Sequence, residues 1–214
     1  MPPLPESPYR LFVEGPDDKH TVIHLMARHG FNWDDESKVR PYVSEGGGID
    51  GLLRTIPVVL KGPYERIGLV LDANADVGGR WKKVRDRVQR AGLTIPSSPE
   101  PGGTIVQGLR AESRIGVWLM PDNESPGNLE DFLSRLVSRD QPIWKYAGEA
   151  TMEARQRGAR CQEKDHVKSV IHAWLAWQEE PGLPFGTAIK AGTFEMDGED
   201  ARQFVAWFHR LFVV

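Results

Sequence analysis

The chain has 214 residues, of which 40% are hydrophobic and 27% are charged, a composition typical of a folded globular domain rather than a disordered chain. The formal net charge of -3 excludes overall positive charge as the means of holding nucleic acid, so phosphate binding would need a local basic patch or a metal ion. No apolar run is long enough to cross a bilayer. The single cysteine, Cys161, excludes an internal disulfide and favours a cytoplasmic location.

The predicted elements alternate between strands and helices over the first two thirds of the chain. Residues 1–8, MPPLPESP, lack the basic and apolar segments of a secretory signal, and they are predicted to form a disordered arm. Branched and aromatic side chains cluster in four predicted strands, at residues 9–13, 39–43, 67–71 and 115–120. Apolar residues at helical spacing predict a helix after each strand. The first, second and fourth begin near residues 17, 49 and 129, and the third carries Trp81, Val84, Val88 and Ala91 on its inner face.

From about residue 142 onward the chain is predicted to be mainly helical. The three predicted helices lie at residues 142–160, 165–178 and 198–211. The stretch EEPGLPFG separates the last two, and TIPSSPEPGGT earlier in the chain is predicted to be an extended connection. The alternation predicts an α/β domain with a mostly parallel central sheet flanked by helices. We expect one domain over residues 9–214, with a helical C-terminal extension that packs on the sheet.

Carboxylates follow the predicted central strands. Glu14 follows YRLFV, Asp72 follows IGLVL, and Glu130 comes soon after GVWLM. Because ligands bind outside the carboxyl ends of adjacent parallel strands, we expect these three side chains at one edge of the sheet. Crowded carboxylates repel one another and take up protons unless a cation lies among them, and hard oxygen ligands suit Mg²⁺ or Mn²⁺.

Each acid taken alone also has a structural interpretation, as a helix cap or a loop residue. That interpretation is favoured for Asp17, Asp18 and Asp122, which lie in the segments PDD and PDN that precede helices. For the three acids that follow buried strands both interpretations stay open, and their clustering favours a functional site.

Several segments resemble a known family of folds. VEGPDDKHTVIHLM, LVLDANAD and GNLEDFL resemble the Toprim fold, the magnesium-binding domain of topoisomerases, primases and OLD-type nucleases. Its motif is a glutamate after the first strand and an Asp-x-Asp pair after a later strand, which match Glu14 and Asp72-Ala73-Asn74. Nearly the whole chain resembles DUF3226, a stand-alone bacterial Toprim-like family, through VWLMPDNESPGNLEDFL and HVKSVIHAWLAWQEEPGLPFGTAI.

The resemblance implies roles for individual residues. Glu14 would act as general acid or base and contact the metal ion, and Asp72 would be a metal ligand. OLD-type nucleases add a further acid and a basic residue, for which we expect Glu130, as metal ligand or to position water, and Lys168. Lys164 is the alternative to Lys168.

The second position of the Asp-x-Asp pair is an amide here. Asn74 can offer its oxygen to a metal ion but brings no charge, so Asp76 is expected to contribute as well. On the resemblance we expect Mg²⁺- or Mn²⁺-dependent phosphodiester chemistry on nucleic acid, as a Toprim-type nuclease acting on DNA in preference to RNA. The alternative is a non-catalytic Toprim-like scaffold that binds nucleic acid or a partner protein such as an ATPase. Under either interpretation the protein is not expected to bind a membrane.

Other chemically active residues are expected to have structural roles. Two basic runs, at residues 80–90 and 155–164, are interpreted as solvated helix faces, with phosphate binding as the alternative. EGGGID lacks the lysine and the spacing of a phosphate-binding loop, so it is expected to be a turn. Trp174 and Trp177 are expected in the core rather than on a base-stacking surface.

Overall fold

A five-stranded β-sheet forms the centre of the computed structural model, which describes residues 7–213. The strands are β1 (Tyr9–Val13), β2 (Tyr42–Glu45), β3 (Arg66–Asp72), β4 (Thr104–Gln107) and β5 (Arg114–Met120). Their order across the sheet is β2-β1-β3-β5-β4, and only β4 runs antiparallel to its neighbour. The predicted α/β fold with a mostly parallel sheet is confirmed. Of the arm predicted at residues 1–8, the first six residues lie outside the described chain.

Eight α-helices connect and flank the strands in the described chain. They are α1 (Pro16–Arg28), α2 (Gly48–Val59), α3 (Val77–Arg90), α4 (Leu129–Ser134), α5 (Pro142–Gln156), α6 (His166–Leu175), α7 (Phe185–Ala191) and α8 (Glu199–Phe212). A single turn of 3-10 helix, Glu163–Asp165, precedes α6. Between Ser7 and Val213, no helix has the length and apolar character needed to cross a membrane.

The helices cover both faces of the sheet. α2 and α3 pack on one face, where Ile56 and Trp81 are buried against Leu69. The other helices pack on the opposite face, where Trp118 of β5 lies among side chains of α8. Because both faces are covered, β3 and β5 are apolar along nearly their whole length, as expected for central parallel strands.

Two glycines in neighbouring strands allow α8 to approach the sheet closely. Gly68 of β3 pairs with Gly116 of β5. A Cβ atom on Gly116 would lie 2.4 Å from Cδ2 of Leu211, and one on Gly68 would lie 2.9 Å from Cζ of Phe212. Any side chain at these positions would therefore push α8 away. Among the C-terminal helices, α8 packs directly on β3 and β5.

Two short elements were not predicted. β4 begins at the end of the proline-rich connection TIPSSPEPGGT, and its four residues form an edge strand, which is too short to give a clear alternating pattern. α7 begins at Phe185, inside the stretch expected to be a break between helices. Pro184 is its N-cap residue, so this proline begins a helix rather than interrupting one.

Some predicted boundaries and one predicted core residue are wrong. The second strand lies at Tyr42–Glu45 rather than 39–43, and α5 and α6 end at Gln156 and Leu175, before the predicted ends. Trp174 is buried as predicted, but Trp177 is 44% exposed. The reason is that α6 ends two residues before Trp177, so helical spacing no longer decides which way its ring faces.

Candidate functional site

A cavity with six acidic residues in its lining lies at the carboxyl ends of β1 and β3. Glu14 directly follows β1, and Asp72 is the last residue of β3, the strand next to β1. Glu130 lies in the first turn of α4, the helix that follows β5. The cavity has a volume of about 370 Å³, and we call it the acidic cavity. The acidic residues that line it are Glu14, Asp17, Asp18, Glu45, Asp72 and Glu130.

Glu14 is held in place by the neighbouring strand. Its Oε1 accepts a hydrogen bond of 2.9 Å from the backbone N–H of Asp72. Burial raises the pKa of Glu14 above its usual value, although this hydrogen bond and the positive charge of Arg80 act in the opposite direction. A carboxyl group with a raised pKa is better suited to exchange a proton near neutral pH than an ordinary glutamate is.

Asp72 is the most strongly perturbed of these acids. Burial, followed by the negative charges of Glu14, Asp18 and Glu130, raises its pKa to about 8. Its Oδ1 accepts a hydrogen bond of 3.0 Å from the backbone N–H of Leu129, which opposes the rise. The group is therefore mostly protonated at neutral pH, and a cation in the cavity would favour its ionised form.

Asp18 also lines the cavity, which the sequence reasoning missed. It was interpreted as a helix-capping residue, and its Oδ2 does accept a hydrogen bond of 3.0 Å from the N–H of Gly15, the N-cap residue of α1. Its side chain is nevertheless buried beside Glu14, and burial and the charge of Glu14 raise its pKa to about 6. The available signal was its position in the first turn of α1, since helical side chains lean toward the N-terminus.

Glu130 and Lys168 form an ion pair at the edge of the cavity. Nζ of Lys168 lies 2.7 Å from Oε1 of Glu130, and the lysine side chain is 54% exposed. The hydrogen bond to Glu130 is the largest cause of the raised pKa of Lys168, so the lysine keeps its charge. Lys164, the alternative basic residue, is not among the described residues that line the cavity.

Asn74 and Asp76 lie outside the described lining of the acidic cavity. The backbone N–H of Asn74 donates a hydrogen bond of 2.6 Å to the carbonyl of Gly127, and Asn74 has a positive φ of 55°. Asp76 is the N-cap residue of α3, and its Oδ1 accepts a hydrogen bond of 2.8 Å from the N–H of Gly79. Their roles as metal ligands stay predictions.

The donor atoms of the acidic cavity fit a hard divalent cation. Within residues 7–213, no three histidine, cysteine, aspartate or glutamate side chains form a ready-made metal-binding group. Mg²⁺ does not need such a group, because it retains several water molecules and commonly binds through one or two carboxylates. Glu14 and Asp72 each use one oxygen to accept a backbone hydrogen bond, and each carries a second oxygen suited to such an ion.

The start of α2 lies at the same cavity. EGGGID is only in part the predicted turn, because Gly46 and Gly47 connect β2 to α2 and residues 48–50 are the first turn of that helix. Gly47 and Gly48 line the cavity. The N-cap residue Gly47 provides no side-chain cap. The backbone N–H of Gly48 donates a hydrogen bond of 2.9 Å to the carbonyl oxygen of Glu14, so this N–H group already has a partner within the protein. This bond holds the start of α2 beside Glu14 at the edge of the cavity.

Comparison with known proteins places the chain in a family. A family model described as "Protein of unknown function (DUF3226)" matches residues 8–213. No curated protein and no solved structure matches the chain. Because the matched region covers nearly the entire sequence, the chain belongs to the DUF3226 family.

Proposed function

We propose that the acidic cavity binds Mg²⁺ or Mn²⁺ and hydrolyses phosphodiester bonds in nucleic acid, with DNA favoured over RNA. The observation that carries this proposal is that Glu14, Asp18, Asp72 and Glu130 line one cavity at the carboxyl ends of parallel strands. Lys168 adds a positive charge at its edge. A divalent cation bound among these carboxylates would relieve their mutual repulsion.

The proposal gives each residue a distinct task. Asp72 and Glu14 would hold the ion, with Asp18 and Glu130 as further carboxylates in the same cavity. When bound, the ion would supply positive charge that stabilises the negative charge developing on a phosphoryl oxygen. Glu14, whose pKa is raised by burial, would accept or donate a proton. Lys168 would stabilise negative charge on the phosphate.

The order of the acids supports a Toprim-type active site. A glutamate follows β1, and the Asp-x-Asn segment begins at the end of β3. β3 lies directly beside β1 in the sheet, which brings Glu14 and Asp72 together although they are far apart in sequence. A shared fold is a weak argument for function, so the proposal depends on this site rather than on the sheet.

A second candidate function is a non-catalytic scaffold of the same fold. Asn74 carries no charge where the motif has its second acid, and Asp76 is engaged as a helix cap. A cavity with fewer charged ligands would bind a divalent cation more weakly. Such a scaffold would bind nucleic acid or a partner protein such as an ATPase without cleaving a substrate.

Nicking of supercoiled plasmid in Mn²⁺ or Mg²⁺ distinguishes the two functions. We expect cleavage by the wild type that is abolished by EDTA and reduced about 100-fold or more by Glu14→Gln, because a positioned proton carrier contributes at least that much. Glu14→Gln keeps an oxygen that can accept the hydrogen bond from Asp72, so the fold should survive. The control Glu36→Gln changes an exposed carboxylate outside the acidic cavity and should cleave normally. Undiminished activity in Glu14→Gln would contradict the proposal.

A further inference from the structure

A second concave surface lies between α4, α5 and α6. It has a volume of about 330 Å³, and we call it the α5–α6 groove. Its apolar walls include Trp144, Val167 and Val170. In the described chain, every ionisable residue that lines it is basic, and these residues are Arg139, Lys145 and His166. The charge of this groove is therefore opposite to that of the acidic cavity.

Trp144 presents a partly exposed indole ring in the groove. The ring packs edge-to-face against Trp174, with ring centroids 5.8 Å apart and an interplanar angle of 86°. Trp174 is fully buried, so it forms a fixed support for Trp144. A supported aromatic ring with an accessible face is suited to stack on a nucleic acid base.

The basic side chains of the groove are accessible to a ligand. Arg139 is exposed, and the side chain of Lys145 is 59% exposed. The acid paired with Lys145 is Asp140, at 3.6 Å from its Nζ, and Asp140 is 99% exposed. An exposed pair of this kind contributes little free energy, so a phosphate can replace the aspartate at small cost.

The groove is next to the acidic cavity. Glu130 lines the cavity and Ser134 lines the groove, and both lie on α4 four residues apart, which corresponds to about 6 Å along a helix. α6 also contributes to both, through Lys168 in the cavity and Val167 in the groove. The groove and the acidic cavity therefore share two helices, α4 and α6.

We propose that the α5–α6 groove binds single-stranded nucleic acid, with one base stacked on Trp144 and backbone phosphates against Arg139 and Lys145. The inference rests on the proposed function, because it takes nucleic acid as the substrate. Single strands fit better than a duplex because the bases of a duplex are stacked on one another and cannot reach a ring inside a groove. The groove would position the backbone at the acidic cavity.

Fluorescence anisotropy with a labelled oligothymidylate in EDTA tests this proposal without cleavage. We expect Trp144→Leu to weaken binding roughly tenfold and Trp144→Phe to restore most of it, since stacking needs an aromatic face. The double variant Arg139→Glu and Lys145→Glu should weaken binding. It should also reduce the magnitude of the negative slope of log affinity against log salt by about 1.4, because each phosphate contact in a single strand contributes about 0.7.

A charge-matched control separates local contacts from net charge. Lys82→Glu with Lys83→Glu makes the same charge change on exposed residues of α3, on the opposite face of the sheet, and should leave affinity and salt slope nearly unchanged. Thermal unfolding by circular dichroism checks that each variant folds. If Trp144→Leu unfolds, binding can still be compared among Trp144→Phe, the Arg139/Lys145 double variant and the Lys82/Lys83 double variant.

Each outcome of these binding and cleavage experiments either supports or overturns one of the two proposals. Tighter binding of the single strand than of its duplex supports the proposal, whether the oligonucleotide is DNA or RNA. Equal binding by wild type and both groove variants, or binding of polyglutamate in place of the oligonucleotide, would overturn it. Undiminished cleavage of a single-stranded oligonucleotide by the groove variants in Mn²⁺ would overturn only the groove. Groove-dependent binding without any cleavage would instead overturn the proposed nuclease.

Discussion

The backbone N–H of Asp72 donates a hydrogen bond of 2.9 Å to Oε1 of Glu14, a residue 58 positions earlier in the chain. The bond connects the end of β3 to the residue that follows β1. It fixes the Glu14 carboxyl group beside the Asp72 carboxyl group, and the negative charge of Glu14 disfavours the ionisation of Asp72.

Neutralising Glu14 should lower the pKa of Asp72. In metal-free Glu14→Gln we expect the pKa of Asp72 to fall below about 8 but to stay above its usual value, because burial is the larger cause and is unchanged. Carbon-detected NMR titration of the Asp72 carboxyl group measures this. Asp17→Asn is the control, since the charge of Asp17 is not among the causes of the shift. An unchanged pKa in Glu14→Gln would show that the two carboxylates are not coupled.

Asp122 should stabilise the fold at neutral pH. Burial alone would raise its pKa, but hydrogen bonds from Ser125, Arg135 and Glu124 outweigh burial and lower the pKa from 3.8 to about 2. Since the folded-state pKa lies below the unfolded value, the stabilisation is complete above pH 3.8 and is lost as the pH falls through about 2. Asp122→Asn should therefore reduce the free energy of unfolding by about 2 kcal/mol at pH 7.

Urea unfolding at neutral and acidic pH measures the contribution of Asp122. The difference between wild type and Asp122→Asn should shrink toward zero near pH 2, where the wild-type carboxyl group becomes protonated. Asp140→Asn, at a fully exposed aspartate, should change stability little at either pH. A difference that stays constant across this pH range would mean that ionisation of Asp122 does not stabilise the fold.

The packing of α8 against the sheet should depend on Gly103. Its φ is +83°, and a Cβ atom there would lie 2.3 Å from Cδ1 of the buried Trp207. We expect Gly103→Ala to destabilise the protein by about 2–4 kcal/mol through backbone strain and overpacking. Gly30→Ala is the matched control, since Gly30 has the same φ of +83° and a Cβ atom on it would have no other atom within 4 Å. Equal losses in the two variants, measured by thermal unfolding, would rule out the packing contribution.

The parts of the fold with strong local patterns could be predicted from the sequence. β3 and β5 are apolar runs bounded by polar residues, and the spacing of Trp81, Val84 and Val88 identifies the buried face of α3. β4 and α7 have four and seven residues, too few for a period to be recognised. Their positions depend on contacts with the rest of the fold rather than on local pattern.

The candidate site was predicted in part. Glu14 and Asp72 each occupy the end of a strand, and the parallel pairing of β1 and β3 brings them together. Asp18 was missed because an aspartate that caps a helix and an aspartate that lines a cavity occur in the same local sequence. Only the burial of the side chain distinguishes them. Trp177 was wrongly assigned to the core because the end of α6 could not be located to within two residues.

Lys168 should matter for cleavage and Lys164 should not. Lys168→Met removes the positive charge that contacts Glu130 at 2.7 Å, and we expect it to lower the cleavage rate about 100-fold or more, as for other groups that stabilise developing negative charge. Lys164→Met makes the same change four residues earlier, at an exposed position, and should retain nearly full activity. Plasmid nicking compares the two. Equal losses would indicate that Lys168 does not act at the phosphate.

Crystals soaked in Mn²⁺ test the central claim, that the acidic cavity holds a divalent cation. The account predicts an anomalous peak between Glu14 and Asp72, with carboxylate oxygens at roughly 2.0–2.2 Å, and no such peak in Asp72→Ala crystals. An empty cavity in wild-type crystals soaked at millimolar Mn²⁺, or a peak only at a site remote from Asp72, would contradict it.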